Sequence, residues 1–408
     1  MSQRIVVVGA GFAGMWSAIA AMRLIDLNGG EAAGIEVIVI APEPRLVVRP
    51  RLYEADAATM SAPLSELFHV TGVQFVKGTV DTISSEQREV HIVDPSGARS
   101  TLSYDRLIVA AGSRLVRPDI PGLRDHTFSI DQLEEAAEFE THLSSLASLP
   151  PSPARNTVVV VGGGFTGIEI GTELPARLRS ILAEGADVRV VIVGSGVEIG
   201  PGLGPGPRPV ILEALTELGV ELKLGAAVAS VDAGGVITTR GERIEALTVV
   251  WTAGPEASPL TKQINGKKDK YGRLHVDSDL RVTATKGIFA AGDTASAATD
   301  DDNNYSMMSC QHAMRLGRSA GHNAAADLLN IETQPYSQPA LGTCLDLGPW
   351  GAVVTEGWDR KVMLSGSAAK SVKQTINGVL IYPPNANRAE AFAAADPAFT
   401  IPALSSIA

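Results

Sequence analysis

Two short glycine-rich stretches hold the residues of this chain best suited to chemistry: Gly9-Ala-Gly11-Phe12-Ala13-Gly14 and Gly162-Gly-Gly164-Phe165-Thr166-Gly167. Each follows a β-branched run (4–8 and 157–161) and leads into a helical pattern (15–24 and 168–174). A continuous apolar run of that length reads as a buried strand of a parallel sheet. Between strand and helix, the first glycine permits a tight turn, the second admits a pyrophosphate, and the third lets the helix pack closely. The helix N-terminus then offers free N–H groups to the phosphates. The motif recurs after 162 − 9 = 153 residues, about one domain length. Two units of this kind predict two nucleotide ligands; a duplicated domain with one silent site is the plainer alternative.

The strand that follows each unit normally ends in an acid that binds a ribose hydroxyl. After 35–40 that place is held by Ala41, and Glu43 is the nearest substitute. After 188–193 come Gly194 and Ser195. A carboxylate there would repel a 2′-phosphate, so its absence removes the usual barrier to NADP. No arginine follows directly, and Arg208 lies beyond a Pro/Gly-rich loop at 200–207. The balance tips only slightly to NADPH over NADH. That loop reads as a turn-rich edge of the nicotinamide site or as a plain linker.

Three more segments suit a flavin site. The runs 104–112 and 248–254 are apolar strands ending in Ala111-Gly112 and Ala253-Gly254, the small-residue turns expected at crossovers between two nucleotide domains. The run 287–293 stops at Gly292-Asp293, with a helical pattern after it. An Asp placed there can accept hydrogen bonds from a ribityl or sugar chain, or cap a helix.

The 408 residues carry 34 Lys+Arg against 45 Asp+Glu, a net charge of −11. So acidic a chain is a poor candidate for nucleic acid or an anionic bilayer. Two cysteines, Cys310 and Cys344, cannot build a disulfide framework or a four-ligand metal centre, and Asp300–Asp302 reads as a solvated loop, so no metal site is expected. No secretory-signal pattern opens the chain, and no apolar run nears the ~18 residues of a spanning helix, which predicts a soluble, cytoplasmic protein. The expected fold class is α/β: two Rossmann-like dinucleotide-binding domains with a small C-terminal region. The first domain is split between 1–115 and 272–332, the second spans 116–271, and 333–408 forms a cap or interface carrying strands near 353–355 and 361–364. Oligomeric state stays open, a homodimer among the options.

The ordered set of motifs resembles the two-dinucleotide-binding flavoproteins that include the pyridine nucleotide-disulphide oxidoreductases. Within them it is most similar to type II NADH dehydrogenases and apoptosis-inducing-factor-like quinone reductases. The likeness covers about residues 1–330 and is weaker across the tail. It implies FAD on Gly9, Gly11, Phe12, Ala13 and Gly14, with Asp293 holding the ribityl chain, and NAD(P)H on Gly162, Gly164, Phe165, Thr166 and Gly167. Glu43, Ala111, Gly112, Ser195, Ala253, Gly254 and Gly292 join the cofactor sites. The segment 49–54, with Arg51, is similar to the one passing the flavin ring. Glu169 matches a family glutamate near flavin and nicotinamide, implying proton handling; from position alone, two residues into its helix, it would simply favour the helix dipole. Phe165 lies near the nicotinamide or packs in a core.

The stretch Cys310-Gln-His-Ala-Met-Arg315 is similar to the family's quinone-site segment, which carries Gln at its second and sixth places. Gln311 keeps the first, whereas Arg315 replaces the second. In a helix expected from Tyr305 towards Leu329 the two share a face, which suits an acceptor that gains negative charge or simply meets an acid. His312 there caps, packs or faces solvent. The family's dithiol chemistry is excluded, since no cysteine precedes Cys310; a sulfide-oxidising Cys310–Cys344 pair is a remote option beside two small buried hydrophobes. The tail lacks the apolar face and cationic flanks that dock a helix on lipid, with only Lys370, Lys373 and Arg388 basic beyond 370. The expected activity is an FAD-dependent NAD(P)H dehydrogenase passing hydride through FAD to a quinone-like small electrophile. Alternatives are a reductase of a ferredoxin or rubredoxin, or a flavin-bound redox sensor. Contact with a membrane is expected to be transient at most.

Overall fold

The computed structural model describes residues 2–182, 185–400 and 403–407. Ile5, Val6 and Val7 are wholly buried, as are Val158, Val159 and Val160. Each run lies inside a parallel sheet buried on both faces, helices covering one and an antiparallel sheet the other, so apolar residues need not alternate. The first sheet has five parallel strands in the order Ile288–Ala290, Arg106–Val109, Gln3–Val8, Ile35–Ala41, Gln74–Lys77. The second has four, in the order Val220–Leu224, Arg189–Gly194, Thr157–Val161, Thr248–Trp251. In both, the strand before the glycine turn sits between its successor and a strand returning from later in the chain. That switch point is where α/β sheets bind ligands. A three-stranded antiparallel sheet follows within each unit, Thr79–Ser84, Glu89–Val93, Arg99–Ser103 and Val228–Asp232, Gly235–Thr238, Arg243–Glu245.

The small-residue turns at 111–112 and 253–254 lead into Ser113–Leu115 and Pro255–Ala257, which pair antiparallel with Ser113 opposite Ala257. The two crossing segments are therefore joined to each other.

The helix Phe12–Leu27 packs against Cys310–Leu329 with backbones in direct contact. A Cβ on Gly317 would lie 2.4 Å from the Ala13 carbonyl oxygen, and one on Gly321 1.9 Å from that of Ser17. Alanine-rich faces and these two glycines allow the close approach, which sets the start of the later helix beside the first glycine turn.

Two expected elements are corrected. The chain after Asp293 is not helical: a single 3₁₀ turn, Gly292–Thr294, is followed by the short strand Ala295–Ser296. The helix expected from Tyr305 begins only at Cys310, with Ser309 as its N-cap. Upstream, the Asp300 carboxylate accepts from the backbone N–H groups of Asp302 (3.0 Å) and Asn304 (3.2 Å), a turn that competes with helix formation.

The expected strands near 353 and 361 are Ala352–Glu356 and Lys361–Ser365, and an unanticipated third, Gly342–Asp346, completes an antiparallel sheet. The helix Gly366–Thr375 buries Ala369 and Val372 against it. No described helix is long and apolar enough to cross a membrane. The 200–207 loop forms one 3₁₀ turn, Pro201–Leu203, and packs on the C-terminal sheet, where a Cβ on Gly206 would meet the Arg360 carbonyl oxygen at 2.4 Å.

Candidate functional site

Both glycine turns have the same construction. Gly9 has φ +108°, and a Cβ there would lie 2.4 Å from the Ala110 carbonyl oxygen. A Cβ on Gly14 would lie 1.9 Å from the Gly9 carbonyl oxygen. In the second turn Gly162 has φ +127°, with Thr252 Oγ1 2.5 Å from its would-be Cβ, and Gly167 stands 1.8 Å from the Gly162 oxygen on the same measure. The protein's own packing therefore requires these four glycines. Gly11 and Gly164 differ: each has an ordinary backbone conformation at a helix N-cap, and a Cβ on either would meet no atom within 4 Å. Nothing in the fold needs glycine there. The open space beside two helix N-termini is a cradle a Cβ would fill, and it fits a dinucleotide pyrophosphate at each turn.

Around the first turn, Ala13 is buried and its Cβ stands 2.7 Å from where a Cβ on Gly292 would be, while Phe12 is half-buried. Asp293 Oδ2 accepts from Ser113 Oγ at 2.6 Å and lies 3.7 Å from Arg49 Nη1. Arg49 in turn contacts Ser113 Oγ (3.2 Å), the Asp131 carbonyl (3.0 Å) and the Asp131 carboxylate. Ala111, Ser113 and Asp131 border a cleft of about 380 Å³, and Gly112 runs past Arg49. Arg51, the arginine named from sequence, points elsewhere: it bonds Glu54 (2.7 Å) and Tyr382 Oη (2.9 Å). Glu43 pairs with Lys77 at 2.7 Å, and that hydrogen bond lowers its pKa.

Around the second turn, Thr166 and Phe165 are exposed, so Phe165 is no core residue. Ser195 is exposed beyond Arg189–Gly194, and Ala253-Gly254 follows Thr248–Trp251.

Glu169 belongs to the helix Phe165–Ile181 but lies past its first residues, not two residues in, and is 3% exposed. Its Oε1 accepts from Lys373 Nζ at 2.8 Å and from the Asp346 backbone N–H at 3.1 Å. A lysine and not the helix terminus is its partner. Lys373 also donates to the Cys344 carbonyl (3.2 Å) and stands 5.5 Å and 5.6 Å from the Tyr53 and Phe165 ring centroids. Burial pushes the Glu169 carboxyl up to about 7, against the opposing pull of Lys373. Burial works to discharge Lys373, but the charge and hydrogen bond of Glu169 hold its pKa above the ordinary value. Tyr53 Oη donates to Asp346 Oδ2 (3.0 Å), and Lys370 Nζ donates to Asp346 Oδ1 (2.6 Å). Asp346, Lys370 and Lys373 border a cleft of about 400 Å³ with Arg51, Glu54, Glu173 and Asn377.

Gln311 is half-buried at the start of its helix. Arg315 forms no ion pair among the described residues: Nη1 donates to the Phe399 carbonyl at 2.8 Å, and burial lowers its pKa. His312 is fully buried with Nδ1 2.9 Å from Ser309 Oγ, and burial brings it down to about 4. Lys373, Asp346, Tyr53 and Arg49 were not legible as site residues. Only Arg49 and Tyr53 carried a signal, their place in the 49–54 segment.

The pyridine nucleotide-disulphide oxidoreductase family model matches residues 3–317. An NADH dehydrogenase-like protein of Mycobacterium tuberculosis is 44% identical over 397 residues, covering 97% of this chain and 98% of that protein. A type II NADH:quinone oxidoreductase of Staphylococcus epidermidis is 26% identical over 398 residues, covering 93% and 95%. The NDH2 structure from Plasmodium falciparum in complex with NADH superposes with TM-score 0.76 at 14% identity, covering 97% of each chain, and shares the fold. The chain is thus an oxidoreductase enzyme that takes FAD and NAD(P)H, and it belongs to the pyridine nucleotide-disulphide oxidoreductase family.

Proposed function

We propose that this flavoprotein oxidises NAD(P)H and reduces a quinone or quinone-like electrophile, with Glu169 and Lys373 serving the acceptor half of the reaction. The carrying observation is the buried Glu169–Lys373 pair, which joins the helix after the second glycine turn to the C-terminal helix. FAD, when bound, supplies the two-electron relay between donor and acceptor. Residues 9–14 orient one dinucleotide and 162–167 the other. Asp293, Ser113 and Arg49 offer a carboxylate, a hydroxyl and a guanidinium to a polyol and phosphate chain. Reducing a quinone to a quinol takes two protons. A carboxyl with pKa about 7 holds one at neutral pH and releases it readily. Lys373 keeps the resulting carboxylate compensated, and the cleft lined by Lys370 and Asp346 connects the pair to solvent.

Gln311 and Arg315 follow as acceptor-side residues on the neighbouring helix. The division into 1–115 with 272–332, 116–271 and 333–408 follows as flavin, nicotinamide and capping regions.

The test is anaerobic titration of purified holoprotein with NADH and with NADPH, followed by a panel of quinones, ferricyanide and a ferredoxin. Bleaching of the flavin by either nicotinamide and repeated turnover with quinones support the reading. Turnover with the ferredoxin alone, or one stoichiometric reduction with no turnover, would overturn it.

A further inference from the structure

We infer that Arg240 reads the 2′-phosphate of NADPH and makes the enzyme selective for the phosphorylated nicotinamide; this rests on the reading of the Thr157–Val161 sheet as the NAD(P)H site. In a doubly wound sheet the pyrophosphate lies on the glycine turn, and the adenosine ribose reaches the carboxyl end of the next strand. That strand is Arg189–Gly194, and Ser195 follows it where an acid would exclude a 2′-phosphate.

The outer neighbour of that strand, Val220–Leu224, ends at Gly225, whose N–H donates to the Gly196 carbonyl at 2.8 Å. The loop after Ser195 is thereby fixed beside Gly225. Arg240 comes from the turn between Gly235–Thr238 and Arg243–Glu245 and lays its guanidinium across Gly225. Nη2 lies 2.7 Å and Cζ 3.7 Å from where a Cβ on Gly225 would be, and Val197 Cγ1 lies 3.8 Å from the same point. Gly225 has φ +70°, a conformation that favours glycine, and its lack of a side chain leaves the room the guanidinium occupies at the ribose end of the site.

The neighbouring arginines are engaged. Arg208 pairs with Glu198 (2.9 Å), the acid of this loop, and donates to the Ile199 carbonyl (3.2 Å). Arg243 pairs with Asp232 (2.8 Å). Arg240 is exposed and has no ion-pair partner among the described residues. A planar guanidinium held beside a ribose position that lacks an acid matches a phosphate dianion, which accepts two parallel N–H bonds.

The experiment is calorimetric titration of the FAD-loaded protein with 2′,5′-ADP and with 5′-AMP, which differ in the 2′-phosphate alone. Wild type should prefer 2′,5′-ADP by about tenfold or more, as expected for hydrogen bonds to a charged group. Arg240→Ala and Arg240→Gln should remove that preference, with the NADPH-to-NADH ratio of kcat/KM falling in parallel. Ser195→Asp should suppress 2′,5′-ADP binding through like-charge repulsion. Flavin content reports that each variant is folded. Equal affinities in wild type, or a preference that survives Arg240→Ala, overturn the assignment. Binding of neither nucleotide to wild type overturns the nicotinamide-site reading itself, and the assignment with it.

Discussion

Glu169 and Lys373 are 204 residues apart in sequence, and their charged atoms are 2.8 Å apart in the fold, both side chains almost fully buried. The pair clamps the second glycine-turn helix to the C-terminal helix Gly366–Thr375. Removing one member of such a pair strands a buried charge, whereas removing both does not. Glu169→Leu or Lys373→Met alone should cost about 3–5 kcal/mol in chemical denaturation, and the double variant far less. Additive single effects in that cycle would show that the two side chains do not act on each other.

The same pair sets a pH dependence. With the Glu169 carboxyl at about 7, acceptor turnover that draws on its proton should decline as pH rises through that value. Lys373 lowers the Glu169 pKa by charge and by hydrogen bond, so its removal lets burial and Asp346 raise it further. The expected result is a limb shifted to higher pH in Lys373→Met and absent in Glu169→Gln, read from kcat/KM for the acceptor between pH 5 and about 9. Glu169→Gln should also slow acceptor turnover at unchanged flavin content.

The glycines of the first turn should separate folding from flavin binding. Gly14→Ala puts a methyl 1.9 Å from the Gly9 carbonyl oxygen and should prevent accumulation of folded protein. Gly11→Ala meets no protein atom within 4 Å. Its apoprotein should lose no more than about 1 kcal/mol. A methyl in the phosphate path costs about 1–3 kcal/mol, roughly ten- to hundredfold in flavin affinity. Equal flavin retention in Gly11→Ala and wild type would remove the dinucleotide from that turn.

Arg49 should matter to flavin retention and Arg51 much less. Arg49 reaches Asp293 and Ser113, whereas Arg51 is occupied by Glu54 and Tyr382. Ultrafiltration should release more FAD from Arg49→Met than from Arg51→Met, and the reverse order would shift the flavin cleft towards Glu54.

Neither cysteine is primed for sulfide chemistry. Burial pushes the Cys310 thiol up to about 11 and the Cys344 thiol up to about 12. A nucleophilic cysteine is a thiolate, and at pH 7.5 both should remain protonated. Alkylation of the native protein should be far slower than that of the unfolded chain, and sulfide should not bleach the flavin.

How far the sequence could be read depended on the range of the causes. The helix pattern reads from Tyr305 but the helix starts at Cys310, because an Asp300 turn upstream competes with it. The strand Gly342–Asp346 has little alternation of its own, and its pairing with Ala352–Glu356 supplies the order. Arg49 and Arg51 sit in one short segment that does not distinguish them, and only the fold shows which side chain turns towards Asp293.

What the sequence by itself determined are the two strand–turn–helix units and the glycines that their turns require. Gly14 and Gly167 are fixed by contacts inside their own turns, whereas Gly9 and Gly162 have positive φ and also face Ala110 and Thr252 just after the neighbouring strands. Only the tertiary structure decided that Lys373 neutralises Glu169, that Arg49 meets Asp293, and that Arg240 crosses Gly225. Each of these joins segments that pack together only after the sheets form, and a charge acquires its partner and its pKa from that packing.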